Sequence, residues 1–405
     1  MAGHLSVNAY DASKRSCPRC RATYTARVNP LSHIPLLPPL TALCLAATSS
    51  FSAEDAAPPK PPARPAPLVS PELLPDGSVT FRCKAPKATE VKVAGQFGPD
   101  AAMTKDDNGG WSVTVPNVPP GVHEYHFSVD GLNIIDPQNS LLKPQRWPGS
   151  SILHVPANPP APWDWQDIPH GVIHVHSYES KALGKPRRIL IYTPPGANTA
   201  GPLPVLYLAH GYSDDERTWS VHGKAPWIMD SLIATKKAVP MLVVMPDAHA
   251  LPPGATGFEE YGPANTDALC RELAQDIIPL VESNYSVIAK PEARAFAGLS
   301  MGGHHALTVA LNHHAQFAWI GAFSAAPPPA KTVADGLDHA DAVNRDLRLL
   351  WIACGQKDFL SKRNQEFNAL LTEKGIRYEF AETEGGHEWP VWRRYLTDFA
   401  PRLFR

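Results

Sequence analysis

The stretch AFAGLSMGGHH, residues 295–305, decides the fold. A short apolar run ends in Gly298-Leu299-Ser300-Met301-Gly302, and the helix-forming segment HHALTVALNHH, residues 304–314, follows. A G-x-S-x-G sequence in that setting bends a strand sharply into a helix. The serine at the bend takes a strained backbone angle, and the flanking glycines let strand and helix approach without side-chain clashes. Its hydroxyl then stands clear above a sheet, at a helix N-terminus that favours developing negative charge.

The sequence on either side repeats the strand–helix alternation. VIHVHSYE (172–179), RRILIYTP (187–194), PVLYLAH (204–210), MLVVMP (241–246), ARAFAG (293–298), FAWIGAFS (317–324), RLLWIAC (348–354) and RYEFAETE (377–384) read as strands. Helical segments are expected at Ala264–Asn284, His304–His314, Lys362–Lys374 and Trp389–Phe404. Short, continuously apolar strands alternating with helices predict a parallel-type sheet with helices on both faces, the α/β-hydrolase class, over residues 171–405.

Upstream the pattern is different. SVTFRCKA, EVKVAGQF, WSVTVPNV, HEYHFSVDG and SSILHVPA alternate as strands, with turn signals at residues 107–110 and 130–131 and no helical period between them. Residues 71–157 therefore predict a small all-β, immunoglobulin-like sandwich. Proline marks the boundaries: there are 44 in 405 residues, roughly twice the usual ~5%. The segments at 54–70 and 158–170 are proline-rich linkers, the first an extended spacer. Residues 1–53 form a leader. Its apolar run, Ile34–Ala47, is shorter than the ~20 residues that span a bilayer. It follows Arg19, Arg21 and Arg27 and exits into small residues at 50–53. That is the secretory-signal pattern, which predicts a secreted or periplasmic protein with no membrane span.

Composition excludes little else. The net charge of −2 offers no basic field for nucleic acid. Cys17 and Cys20 form a lone C-x-x-C with no second ligand pair nearby, so no metal site is expected. Cys44, Cys83, Cys270 and Cys354 are scattered and suggest no disulfide framework. Oligomeric state is not legible.

A serine is a poor nucleophile by itself and needs a base and an orienting acid. In this architecture they follow in the order acid, then histidine, each on a loop after a strand. Asp358 leaves the strand RLLWIAC on the loop Gly355–Asp358. His387 follows RYEFAETE behind Gly385-Gly386 and precedes the last helix. Asp335, Asp338, Asp341 and Asp346 lie in a polar helical stretch and read as solvated surface. His304, His305, His313 and His314 share the helix after Ser300. A tetrahedral oxyanion needs fixed donors: the Met301 amide, and the Tyr212 amide brought close by His210-Gly211 at a strand end. His210, Trp219, Tyr261, Phe359, Trp389 and Trp392 are candidates for a substrate pocket, each equally consistent with core packing.

HGYSDDERTW (210–219), RAFAGLSMGG (294–303), CGQKDF (354–359) and GGHEWPVW (385–392), in that order, resemble carbohydrate esterase family 1. These are the feruloyl and acetylxylan esterases, related to esterase D and the enterochelin esterases. The resemblance covers residues 170–405. It implies ester hydrolysis by Ser300, Asp358 and His387, with Met301 and Tyr212 as the oxyanion hole and no cofactor. Residues 109–139 are similar to immunoglobulin-like modules that precede such esterases and are akin to glycogen-binding domains. The implied substrate is an acyl ester of plant polysaccharide, and no block separates ferulate from acetate. A siderophore esterase, an acyltransferase with a sugar acceptor and a non-catalytic carbohydrate-binding protein are the rivals. In the module, Trp111, Tyr125, Phe127 and Trp147 are the rings available for sugar contact, with Tyr125 and Phe127 expected to face inward.

Overall fold

The computed structural model describes residues 68–252 and 257–405. The leader, the Cys17–Cys20 motif, Cys44 and nearly all of the first proline-rich spacer lie outside the described residues.

The N-terminal part is a sandwich of two antiparallel sheets. One has the strand order Glu72–Leu73, Val79–Lys84, Gly110–Val115, Thr104–Lys105. The other has the order Gly98–Ala102, Val91–Gly95, Gly121–Val129, Leu132–Ile134, and Ser151–Val155 pairs with the long strand Gly121–Val129. Alternate residues turn inward, as a half-buried strand requires. Val79, Phe81 and Cys83 meet Val91, Val93, Tyr125 and Phe127 in one apolar core. Asp106 closes the turn at 107–110, its Oδ1 accepting the Asn108 and Gly110 amides at 2.8 and 2.7 Å.

The C-terminal part is built on an eight-stranded sheet. Its order is Val172–Ser180, Lys185–Thr193, Leu242–Pro246, Val205–Ala209, Arg294–Leu299, Trp319–Phe323, Leu349–Gly355 and Glu379–Thr383. From Leu242–Pro246 onward neighbouring strands run parallel. The first two do not: Val172–Ser180 and Lys185–Thr193 form a hairpin, and the hairpin joins Leu242–Pro246 antiparallel. A hairpin and a parallel edge look alike in an apolar run, so only the short Lys181–Gly184 connection separates them.

The side-chain period of two divides the core. Ile189, Ile191, Val205, Tyr207 and Phe296 face one helical layer, while Leu190, Tyr192, Leu206, Leu208 and Ala297 face the other. Helices Phe258–Glu272, Met301–Asn312 and Ser361–Glu373 contribute to the first layer, and Ala225–Ala234 and Trp389–Phe399 to the second. The expected helix at Ala264 begins earlier, at Phe258, and carries Pro263 inside it. A π-helical turn, Leu273–Ile277, interrupts it before Ile278–Asn284.

The two parts share a buried seam. Arg393 of the last helix is 1% exposed; it donates to the His222 carbonyl at 2.9 Å and to the Val122 carbonyl of the sandwich at 2.8 Å. Burial pushes its guanidinium down to about 10. Beside it Lys143 lies 3.1 Å from the carboxylate of Glu124, and His222 Nε2 lies 3.3 Å from that same carboxylate.

Candidate active site

Ser300 has φ 53° and ψ −108° and precedes the helix Met301–Asn312. The strain is held by hydrogen bonds on both sides of the residue. Ser300 N–H donates to the Phe323 carbonyl at 2.9 Å, and the Ser300 carbonyl accepts the His304 and Ala326 amides at 3.0 and 3.1 Å. Both glycines are needed by distance. A Cβ on Gly298 would lie 2.6 Å from the Gly302 backbone, and one on Gly302 would lie 2.6 Å from the Ala209 oxygen.

The loops carrying Asp358 and His387 touch each other. Gln356 N–H donates to the Thr383 carbonyl at 2.8 Å, and Lys357 N–H to the Gly385 carbonyl at 3.0 Å. A Cβ on Gly355 would collide with that Gly385 oxygen, so glycine permits the contact. The result is a continuous chain: Ser300 Oγ lies 3.0 Å from His387 Nε2, and His387 Nδ1 lies 3.0 and 2.9 Å from the Asp358 carboxylate oxygens. With Nδ1–H donating to the carboxylate, Nε2 is free to accept the serine proton. Asp358 is buried, which raises its proton affinity. The bonds from His387 and from the Leu360 amide at 2.8 Å outweigh burial and hold the carboxyl below its usual range. Phe359 and Trp392 flank the imidazole, with ring centroids 4.5 and 5.0 Å away.

Gly211 lies against the nucleophile: a Cβ there would be 3.6 Å from Ser300 Cβ. The next peptide is clamped by two histidines. His210 Nε2 accepts the Ala248 amide at 2.9 Å, so its proton sits on Nδ1 and donates to the Gly211 carbonyl at 2.8 Å. Burial opposes charging of this ring while Asp247, 3.5 Å away, favours it; the amide donating into Nε2 decides for the neutral form. Because a trans peptide points its C=O and N–H in opposite directions, fixing the Gly211 carbonyl also fixes the Tyr212 N–H. On the far side His249 Nε2–H donates to the Tyr212 carbonyl at 2.8 Å, and Nδ1 accepts the Tyr261 hydroxyl at 2.6 Å. Burial pushes His249 down to about 3, so it is neutral.

These contacts correct three of the pocket candidates. His210 is 1% exposed and acts on backbone. Tyr261 lies beneath Tyr212, ring centroids 5.6 Å apart, and serves His249. Trp219 is core: it is 1% exposed and its Nε1–H donates to the Ala209 carbonyl at 3.0 Å. Phe359, Trp389 and Trp392 border a cavity of about 330 Å³ that also holds Ser300, His387 and Tyr212. Part of the remaining wall comes from residues of the β module with no sequence signal for a site: Gln96, Glu124 and Lys143. His249 carries no sequence signal for a site either. A larger cavity, about 490 Å³, lies beside His304 and Pro327–Pro329 and touches none of Ser300, Asp358 or His387. Among the described residues no group of three or more His, Cys, Asp or Glu is placed to hold a metal, and no helix is long and apolar enough to cross a membrane.

A mixed sheet sandwiched by helices, with a strained serine at a strand–helix bend and a β module in front, defines an α/β hydrolase with an N-terminal all-β module. The family described as "Putative esterase" matches residues 180–403, more than half of the chain, and the chain belongs to that family. Residues 69–145 match carbohydrate-binding module 48, the isoamylase N-terminal domain. An endo-1,4-beta-xylanase/feruloyl esterase of Xylanibacter ruminicola is 31% identical over 341 residues, covering 82% of this chain and 45% of that protein. The chain thus spans less than half the length of that relative. Among solved structures, the CE1 ferulic acid esterase of Anaeromyces mucronatus is similar with a TM-score of 0.53, 23% identity, and coverage of 60% of this chain and 93% of that one. The enterobactin esterase of Shigella flexneri gives a TM-score of 0.57 at 21% identity, covering 81% of this chain and 92% of that one.

Proposed function

We propose that the chain is a serine carboxylic-ester hydrolase acting on acyl esters of plant polysaccharide, of the feruloyl or acetyl type, with Ser300, His387 and Asp358 as its catalytic residues. The reading rests on one observation, the unbroken chain from Ser300 Oγ through His387 to Asp358 at 3.0 and 2.9 Å. The polysaccharide substrate is carried over from the xylanase/feruloyl esterase relative.

Ser300 Oγ attacks the ester carbonyl and gives its proton to His387 Nε2, while Asp358 stabilises the imidazolium. The oxyanion is met by the Met301 and Tyr212 amides. The alcohol leaves with the proton from His387, and the acyl group stays on Ser300. Water then attacks the acyl-enzyme with His387 as base, and the carboxylic acid is released. Ser300→Ala is expected to lower kcat on an aryl acetate by about 10⁴-fold or more with an unchanged melting curve. Wild-type turnover by that variant would discard the assignment. Export, inferred from the leader, is tested by looking for a cleaved N-terminus on protein recovered outside the cytoplasm.

A further inference from the structure

The catalytic cavity has two unlike walls. Phe359, Trp389 and Trp392 form an aromatic one against His387, while Gln96, Glu124 and Lys143 form a polar one. The polar wall belongs to the region that matches a carbohydrate-binding module. That region has no open aromatic face: Phe81, Phe97, Trp111, Tyr125 and Phe127 are its only aromatic rings, and all are at most 9% exposed. Trp111 is further tied inward, its Nε1–H donating to the Ala85 carbonyl at 2.9 Å. A ring can stack on a sugar only if its face is open, so none of these five can; Trp147, just beyond the matched region, is 69% exposed and has the Arg146 guanidinium over its ring.

Polar groups are available, and they are oriented. Gln96 Oε1 accepts the Glu124 amide at 3.0 Å, and Gln96 N–H donates to the Glu124 carbonyl at 3.0 Å. This turns the exposed Gln96 amide into a fixed group whose –NH₂ has no partner among the described residues. Behind it the Lys143 ammonium is held between Glu124 at 3.1 Å and Asp214 at 3.7 Å. Asp214 sits on the loop that presents Tyr212. Donors and acceptors fixed in a partly closed cavity recognise hydroxyl groups with little ordering cost on binding.

We propose that the β module meets the alcohol part of the ester inside the catalytic cavity, where Gln96, backed by Glu124 and Lys143, forms a polar subsite for sugar hydroxyl groups. The inference rests on the ester-hydrolase reading for its substrate class, but its test does not require turnover. Ser300→Ala protein, with and without Gln96→Ala, is titrated calorimetrically with a feruloylated arabinoxylo-oligosaccharide and with methyl ferulate. The two ligands share the acyl group and differ in the alcohol. Gln96→Ala should weaken the oligosaccharide ester about three- to tenfold, the worth of one neutral hydrogen bond, and leave methyl ferulate within twofold. Gln96→Glu, which keeps the acceptor and removes the donor, should do the same. Equal loss on both ligands, no loss on the oligosaccharide ester, or failure of the Ser300→Ala protein to bind that ester overturns the proposal. Turnover of these esters by the unsubstituted chain, measured alongside, reports separately on the hydrolase reading.

Discussion

At the scale of single residues, the site is a set of tautomers and peptide planes fixed by neighbours. His249 contacts backbone one peptide away from the expected oxyanion, which makes it a positioning residue. His249→Ala should lower kcat about 10- to 100-fold with KM little changed, because the cost falls on the transition state. His249→Gln, whose Nε2 can still donate to the Tyr212 carbonyl, should recover part of the loss; an equal defect in both variants in steady-state kinetics would count against positioning. Asp358 carries the pH dependence. Its folded-state pKa lies below the ordinary 3.8, so its stabilising contribution is present above that value and fades as pH falls through the lower one. The stability gap between the chain and Asp358→Asn, read from urea melts, should shrink as pH falls below about 4. The proximity of Ser300, Asp358 and His387 was legible because each follows a strand in a set order. His249 was not, since nothing in a sequence shows which backbone oxygen an imidazole will reach.

Elements were legible where burial is complete. Val205–Ala209, Leu242–Pro246 and Leu349–Gly355 are apolar throughout because helices cover both faces. Phe258–Glu272 was only half visible, because its first turns carry Gly262 and Pro263, which read as loop. The bend at Ser300 depends on two contacts that a single methyl group would break. Gly302→Ala places a Cβ 2.6 Å from the Ala209 oxygen, backbone that cannot swing aside. We expect a loss of about 2–4 kcal/mol in denaturant unfolding and activity lowered along with it. A variant of native stability would mean the strand and helix can separate at no cost.

For the molecule as a whole, the seam decides whether the two parts behave as one. Sequence placed a linker between them and gave no sign that Arg393 would bond both, because its partners are backbone carbonyls 171 and 271 residues away. Arg393→Met keeps the volume and leaves the Val122 and His222 oxygens unpaired in a buried interface. Each orphaned acceptor costs about 1–3 kcal/mol, so the melting transition should drop by several degrees and broaden or split. A single unshifted transition in calorimetry would show that the seam carries no coupling. The cysteines give the assembly a built-in reporter. Cys83, Cys270 and Cys354 are unpaired and buried, and burial drives the last two thiols up to about 12. An alkylating reagent at neutral pH therefore finds them only when the surrounding chain opens. One of them sits in the sandwich and two in the hydrolase, so mass-resolved labelling times the breathing of each half separately, with no probe to be engineered in.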